Sequence, residues 1–150
     1  MKLTLIFFMS ILWANSAIGD SYDRKDFNYR SYKPNIAIGF YTGKTCDFIN
    51  IDHVVSLKDA YESGAASWSD SKKKTFANDN ANHVPSCGRV NSSKGSAAPK
   101  DFLRRSSDGK GLDYKIVRWC DYVTKYHSVK QAYGLSLIAN DRSIFERCDL

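Results

Sequence analysis

"IDHVVSLKDAYESGAASW", residues 51–68, joins an apolar, β-branched run directly to a stretch with helical spacing. The apolar part continues a strand that we predict over residues 47–56, and the helical pattern starts at residue 57. Asp52 and His53 are neighbours in this strand, so their side chains point to opposite faces. Each of the two side chains therefore needs contacts and a role of its own.

The other elements follow from the spacing of apolar residues and from the positions of glycine and proline. With 150 residues, of which 43% are hydrophobic, the chain has the size of one domain with its own core. We predict the α+β class. The predicted elements are strands at 36–41 and 47–56, helices at 57–63 and 67–78, a strand or hairpin at 82–91, and helices at 112–133 and 143–148.

The N-terminal stretch "MKLTLIFFMSILWANSAIG", residues 1–19, has one Lys2, an apolar centre and small residues before Asp20. This pattern is typical of a cleaved secretory signal peptide. The remaining residues 20–150 then form a single domain, and no later segment is apolar enough to span a bilayer. We therefore expect a secreted or periplasmic protein that does not associate with membranes after the signal is removed.

The four cysteines are even in number, and none of them lies in a C-x-x-C pair of the kind found in zinc sites. Together with the signal peptide they predict two disulfides. Four cysteines allow three pairings. We favour Cys46 with Cys87 and Cys120 with Cys148, because this pairing would crosslink a central part and a C-terminal part separately.

The formal net charge is +6, and it falls to +5 when the leader with its single Lys2 is removed. The basic residues concentrate in the second half of the chain, which suits a polyanionic partner such as nucleic acid. A solvated lysine surface is the simpler alternative. These residues are Lys72, Lys73, Lys74, Lys94, Lys100, Arg104, Arg105, Lys110, Lys115, Arg118, Lys125 and Lys130.

Polar residues stand at the ends of the predicted strand and hairpin: Asp52 and His53 close the strand, Asn82 opens the hairpin and Asn91 leaves it. The order strand, hairpin and short helix would bring these side chains together. Asp52 and Asn91 offer carboxylate and amide oxygens, which suit Mg²⁺ or Mn²⁺. One divalent ion is therefore the expected cofactor.

Four ordered blocks, "IDHVVSL", "AYESGAASW", "FANDNANHV" and "NSSKG", resemble the HNH endonuclease superfamily with its ββα-metal fold. The resemblance is to a branch of small secreted bacterial proteins and runs from about residue 41 to 102, with "YVTKYHSVKQAYGLSL" resembling that branch's closing helix. Two positions depart from the pattern: Ser56 replaces the usual proline and His83 an aliphatic residue.

The resemblance implies a role for each of the polar residues. His53 would be the general base that takes a proton from the attacking water, and Asp52 and Asn91 would hold the divalent ion. Asn82 would fix the hairpin loop through backbone hydrogen bonds and so orient His53. Lys94 and Arg30 are candidate contacts to substrate phosphate, although a solvated side chain is the alternative for each.

The same resemblance implies a metal-dependent endonuclease that hydrolyses DNA and leaves 5′-phosphate ends. We expect low sequence specificity, because no recognition module is visible beyond the catalytic one. Its ββα core would cover about residues 41–105 and its C-terminal helices about 112–148. We expect a monomer without an obligate protein partner. Two alternatives stay open: a non-catalytic, disulfide-crosslinked extracellular protein that binds nucleic acid on the same scaffold, and an RNase or toxin nuclease.

Overall fold

The fold comes from a computed structural model that describes residues 21–106, 115–137, 140 and 142–150, with the side chains of 103–106 excepted. The predicted signal peptide, the side chains of Arg104 and Arg105, and Lys110 lie outside the described residues. Within the described part, no helix is both long enough and apolar enough to cross a membrane.

In the described part of the chain, a two-stranded antiparallel sheet lies among six α-helices, so the predicted α+β class is confirmed. Strand β1 pairs with β2 in a register that sets Asp52 opposite Val84 and His53 opposite His83. Short 3₁₀ helices lie at Arg24–Phe27, Ala65–Ser67 and Asn80–Asn82. The main elements are β1 Ile49–His53, α1 Leu57–Glu62, α2 Asp70–Ala77, β2 His83–Cys87, α3 Gly88–Lys94, α4 Pro99–Ser106, α5 Trp119–Tyr133 and α6 Arg142–Glu146.

Helices α1 and α2 form where the sequence predicts them, because serine side chains cap both N-termini. Ser56 Oγ accepts a hydrogen bond from the Asp59 backbone N–H at 3.0 Å, and Ser69 Oγ accepts one from Lys72 at 3.3 Å. Such caps satisfy backbone donors that have no partner inside the helix. Ser56, which departs from the family pattern, thus has a structural role at the start of α1.

Three predicted elements differ from the structure. Residues 82–91 do not form a hairpin: strand β2 ends at Cys87 and helix α3 begins at Gly88. Residues 36–41 contribute only an isolated bridge between Ile38 and Thr45. Helix α5 begins at Trp119 and not at residue 112, and 107–114 lie outside the described part.

The core between sheet and helices is rich in aromatic rings. Tyr41 meets Phe102 and Tyr122 edge to face, with ring centroids 5.0 and 5.2 Å apart. Such arrangements are favoured over stacked rings and fix side-chain orientation. Because Tyr41 precedes β1 and Tyr122 belongs to α5, these contacts hold the C-terminal helices against the base of the sheet.

Disulfides join Cys46 to Cys87 and Cys120 to Cys148, which is the pairing that the sequence favours. The first bond links the loop before β1 to the end of β2. The second links the start of α5 to the segment after α6. Each bond therefore crosslinks one part of the chain, the sheet in one case and the C-terminal helices in the other.

Candidate active site

The carboxylate of Asp52 lies inside the protein in a cluster with Lys94 and Tyr41. The Tyr41 hydroxyl donates to Asp52 Oδ2 at 2.5 Å, and Lys94 Nζ lies 3.0 Å from Oδ2 and 3.3 Å from Oδ1. Lys94 Nζ also donates to the backbone carbonyl of His53 at 2.8 Å. The Lys94 side chain is fully buried, so a cation and an anion neutralise each other in a low-dielectric surrounding.

Tyr41 acts in this cluster as a hydrogen-bond donor. Burial, and then the negative charge of Asp52, raise the pKa of the Tyr41 phenol well above its ordinary value. The phenol therefore keeps its proton and gives it to the carboxylate in a charge-assisted hydrogen bond. Tyr41 thus complements Lys94 in satisfying a buried carboxylate.

The imidazole of His53 points to the other face of β1, as alternation along a strand requires. His53 Nε2 lies 2.8 Å from the backbone oxygen of Ala77, and His83 Nε2 lies 3.0 Å from the same oxygen. The two Nε2 atoms also lie 3.3 Å from each other, and because a carbonyl oxygen only accepts, we assign the hydrogen of each neutral ring to Nε2 on the contacts with Ala77. In neutral His53, Nδ1 then holds the lone pair that can accept a proton.

Burial changes the basicity of both rings. It lowers the pKa of His53 to about 3, an effect that the Ala77 hydrogen bond partly opposes and neighbouring His83 reinforces. Burial also lowers the pKa of His83. The cause of the low pKa of His53 is that the ring is only 5% exposed, which disfavours its charged form. His53 is therefore neutral at physiological pH and is a weaker base than an exposed imidazole.

Two tyrosines of the N-terminal segment cover the imidazole pair. The Tyr29 ring stands edge-on to His53 with centroids 4.5 Å apart, and the Tyr32 hydroxyl lies 3.3 Å from His83 Nδ1. Sequence reasoning assigns neither residue to the site, nor Tyr41. The only available signal was the density of aromatic residues in residues 22–41, which does not say which ring meets which histidine.

Asn82 is fully buried and holds the chain just after β1. Its Oδ1 accepts from the Val55 N–H at 2.8 Å, its Nδ2 donates to the Val55 carbonyl at 3.0 Å, and its own carbonyl accepts from Val54 N–H. These are the backbone hydrogen bonds that the resemblance implies for this residue. They fix the turn that follows His53, and the effect of Asn82 on the reaction stays a prediction.

Asn91 and Lys94 lie three residues apart on α3 and therefore on one face of the helix. Because Lys94 reaches Asp52, this face is turned toward the carboxylate. Asn91 is half-buried and lines the same depression as Tyr29 and Tyr32. The two predicted metal ligands thus belong to facing elements.

The donor chemistry of Asp52 and Asn91 suits a hard cation. Asp52 Oδ1 accepts a hydrogen bond from Lys94 Nζ at 3.3 Å, and a carboxylate oxygen can accept more than one such bond. Among the described residues, no group of three or more His, Cys, Asp or Glu side chains is placed to hold a metal. A cation at Asp52 and Asn91 would therefore take its remaining ligands from water and substrate phosphate, as Mg²⁺ commonly does.

The two predicted phosphate contacts differ in position. Lys94 is not at the surface, because its ammonium is bonded to Asp52 and to the His53 carbonyl. Arg30 is exposed, and its backbone N–H donates to Asn78 Oδ1 at 2.9 Å. Arg30 follows Tyr29 in the sequence and is at the surface, whereas the Lys94 side chain is fully buried and contacts the site from within the protein.

A small antiparallel sheet followed by a helix, with a histidine at the end of the first strand, is the arrangement of a class of small α+β nucleases. Residues 12–144 match the family described as GmrSD restriction endonucleases, C-terminal domain, and the chain belongs to this family. The match confirms a nuclease family. The narrower resemblance to a secreted bacterial HNH branch stays a prediction.

One curated relative is an "Uncharacterized secreted protein" from Arthroderma benhamiae, 34% identical over 97 residues. The match covers 63% of this chain and 43% of the relative, so the chain spans less than half of that protein's length. No solved structure gives a significant match. The word "secreted" in the relative's name agrees with the two disulfides, which form in oxidising compartments.

Proposed function

We propose that the protein is a secreted or periplasmic endonuclease that hydrolyses phosphodiester bonds in DNA with low sequence specificity. Membership of a nuclease family supports the reaction class. The observation that carries the assignment is the hydrogen bond from His53 Nε2 to the Ala77 carbonyl, which leaves Nδ1 as the proton acceptor. A fixed, neutral imidazole with one unprotonated ring nitrogen is what general-base attack by water requires.

In the proposed reaction, His53 Nδ1 takes a proton from water as the water oxygen attacks phosphorus. The bond from phosphorus to the leaving 3′ oxygen breaks, and a 5′-phosphate results. Burial disfavours the imidazolium that forms, and the negative phosphate beside it offsets this penalty. Asn82 keeps the turn after His53 in place, and the Ala77 carbonyl holds the ring orientation.

A divalent ion, Mg²⁺ or Mn²⁺, would be held by Asp52 and Asn91 and would supply positive charge to the scissile phosphate and the leaving oxygen. The contacts of Asp52 with Tyr41 and Lys94 fix the orientation of the carboxylate, which supports this proposal. Arg30 is exposed and available to contact phosphate from outside. Lys94 contributes by fixing Asp52 and the His53 carbonyl.

A second function is favoured by two observations on the same residues. Asp52 is paired with a buried lysine, and His53 is 5% exposed beneath Tyr29. A non-catalytic protein that binds nucleic acid would tolerate both features, since it needs neither a free carboxylate nor an accessible base. An RNase or toxin nuclease would keep the proposed chemistry and differ only in its target.

The test is plasmid cleavage by the oxidised protein with Mg²⁺, with Mn²⁺ and with EDTA, using His53→Ala and, as a matched control, His127→Ala on α5. We expect cleavage that requires the cation, falls about 10²- to 10⁴-fold in His53→Ala, and persists in His127→Ala. A folded protein that retards DNA on a gel but cleaves it under none of these conditions would establish the binding function instead. The same assay with single-stranded RNA in place of plasmid distinguishes an RNase from a DNase, because an RNase would cleave the RNA and not the plasmid.

A further inference from the structure

Two surface depressions meet at Phe48, one of about 1000 Å³ and one of about 910 Å³. They share a wall that includes Phe48 and Asn50. The first reaches Ser92 and Ser93 of α3, and the second reaches Asn91 on the same helix. Together they form one continuous surface, here called the Phe48 groove, that passes the candidate active site.

Phe48 stands at the centre of this groove and is 66% exposed, more than any other large apolar side chain in the described part of the chain. The ring is nevertheless held in place. A Cβ atom at Gly88 would lie 2.7 Å from Phe48 Cδ1, so only glycine at this position lets the ring lie against the backbone. The Gly88 N–H also donates to the Phe48 carbonyl at 2.8 Å.

The disulfide fixes the same region. Cys46 and Cys87 are bonded, and they lie two residues before Phe48 and one residue before Gly88. Next to the disulfide, Ile49 of β1 pairs with Cys87 of β2 in the sheet, which also holds the two strands together. The exposed ring therefore lies on a crosslinked part of the backbone, and its apolar face is complementary to a ligand that is itself flat and apolar.

The charges around the groove indicate the class of that ligand. Among the described residues that line the two depressions, four are basic and one, Asp47, is acidic. The basic residues lie on both sides of Phe48: Lys44 and Arg89 in one depression, Arg24 and Lys33 in the other. Cations that flank an exposed aromatic ring favour a polyanion that carries flat apolar groups.

We infer that the Phe48 groove binds single-stranded nucleic acid, with a base stacked on Phe48 and the backbone phosphates near the flanking basic residues. In a single strand every base offers a free face for stacking, and aromatic platforms between basic side chains use this property. In a duplex the base faces are covered by neighbouring pairs, and exposing one requires unstacking. The inference rests on the proposed nuclease function, because it assigns the strand state of the substrate.

Tyr32 links the groove to the active site. Its ring is 46% exposed and lines the depression that contains Asn91, while its hydroxyl contacts His83 Nδ1. A strand stacked on Phe48 and passing Tyr32 would therefore reach the imidazole pair and Asn91. The Phe48 groove is therefore continuous with the surface at the candidate active site, and a bound strand could extend from one to the other.

The test measures binding without cleavage, by fluorescence anisotropy of the full-length oxidised His53→Ala protein in EDTA. The probes are labelled oligothymidylate and oligouridylate of about 15 nucleotides and a duplex of equal length. We expect tighter binding of the single strands. Phe48→Ala should weaken single-strand binding by about 5- to 100-fold and leave duplex binding nearly unchanged, whereas Phe48→Trp should retain it.

Two further variants serve as controls. Leu150→Ala removes another exposed apolar side chain, 41% exposed at the C-terminus, and should change neither affinity. Arg89→Gln removes a flanking charge and should weaken single strands and duplex alike, with a smaller salt dependence. Because Phe48 is exposed, its substitution should leave the melting temperature unchanged.

Equal affinity for single strands and duplex, or single-strand binding that survives Phe48→Ala, would overturn the inference. A dimer in sedimentation that Phe48→Ala converts to monomer would assign the ring to self-association, which also overturns it. These outcomes are independent of the plasmid assay. A protein that binds single strands through Phe48 but never cleaves them would refute the nuclease function and retain the groove.

Discussion

Two buried clusters in this protein have the same composition, an aspartate, a lysine and a tyrosine, but different surroundings. In both, the lysine ammonium and the tyrosine hydroxyl bond to the carboxylate. The first, here called the Asp52 cluster, contains Asp52, Lys94 and Tyr41. The second, the Asp59 cluster, contains Asp59, Lys130 and Tyr126.

In the Asp59 cluster, the lysine and the tyrosine bond to side chains of helix α1 and of the residue just after it. Lys130 Nζ lies 2.7 Å from Asp59 Oδ1 and 2.6 Å from Ser63 Oγ, and the Tyr126 hydroxyl donates to Oδ2 at 2.8 Å. Burial lowers the pKa of Lys130, and the Asp59 charge opposes this shift. All these residues lie on α1, just after it, or on α5, so the cluster joins two helices.

The Asp52 cluster has longer ion-pair distances and different neighbours. Lys94 Nζ divides its contacts between Asp52, at 3.0 and 3.3 Å, and the carbonyl of His53. Asn91 lies one turn before Lys94 on the same helix face. The comparison teaches that a buried aspartate and lysine do not by themselves indicate catalysis; the adjacent imidazole and amide distinguish the two clusters.

The largest expected effect is the loss of stability when either lysine is replaced. Lys94→Met and Lys130→Met each leave a buried carboxylate without its cation, which should lower the free energy of unfolding by about 3–5 kcal/mol. Thermal unfolding measures both losses. Added Mg²⁺ should raise the melting temperature of Lys94→Met clearly more than that of Lys130→Met, because Asp52 and Asn91 are the proposed ligands of the cation and Asn91 lies on the helix that carries Lys94.

Equal responses of the two variants to Mg²⁺ would remove the distinction between the clusters. They would also argue against a cation at Asp52. If Lys94→Met does not fold, Lys94→Gln offers a smaller change, since the amide can still donate to Asp52.

A smaller effect is expected from removing one hydroxyl in each cluster. Tyr41→Phe and Tyr126→Phe keep the rings in the core and lose a hydrogen bond to a carboxylate, at a cost of about 1.5–3 kcal/mol in each case. Urea unfolding should give similar losses for both. DNA cleavage below the unfolding range should fall in Tyr41→Phe and stay at the wild-type rate in Tyr126→Phe. Similar cleavage by the two variants would place Tyr41 outside the active site.

The effect that is smallest per pH unit belongs to His53, on the other face of β1, and to its neighbour His83 on β2. The pKa values of His53, about 3, and of His83 lie below the ordinary histidine value of 6.5 in the folded protein. Below pH 6.5 these histidines bind protons in the unfolded chain but not in the folded one. The free energy of unfolding therefore falls as the pH falls, and for His53 this loss continues down to about pH 3. Each histidine contributes at most about 1.4 kcal/mol per pH unit.

His83→Leu tests this prediction, because leucine restores the aliphatic type usual in the family pattern. In EDTA, the loss of stability between pH 6.5 and 5 should be smaller in His83→Leu than in the wild type. Other groups near His83, Asp79 and Lys125 among them, remain in both proteins, so the difference isolates the imidazole. Identical pH profiles would show that His83 is not buried as described.

The sequence predicts the parts of this fold that depend on local signals. Helices α1 and α2 follow from apolar spacing and from the caps at Ser56 and Ser69. Helix α3 does not, because Pro85, Gly88 and a β-branched Val90 favour a strand and turn locally. Packing outweighs that preference: Val90 enters the core and the helix carries Lys94 to Asp52.

The residues of the candidate site also fall into two groups, those that the local sequence predicts and those that only tertiary packing brings together. Asp52 and His53 are adjacent in the sequence, so their proximity and opposite directions can be inferred without a structure. Tyr41 and Tyr29 reach them from 11 and 24 residues away, and only tertiary packing selects those rings. Lys94 illustrates a further limit, because lysine is usually solvated and nothing in "NSSKG" indicates full burial.

The bond between Cys46 and Cys87 has a consequence for when the protein becomes active. It closes a loop with a sequence separation of 41, worth about 4 kcal/mol in chain entropy, around the strand that ends in His53. In a reducing cytoplasm this contribution is absent, and the backbone around Phe48 and Gly88 is not crosslinked. For the proposed nuclease, the folded form would therefore gain this stabilisation only in an oxidising compartment, where the bond can form.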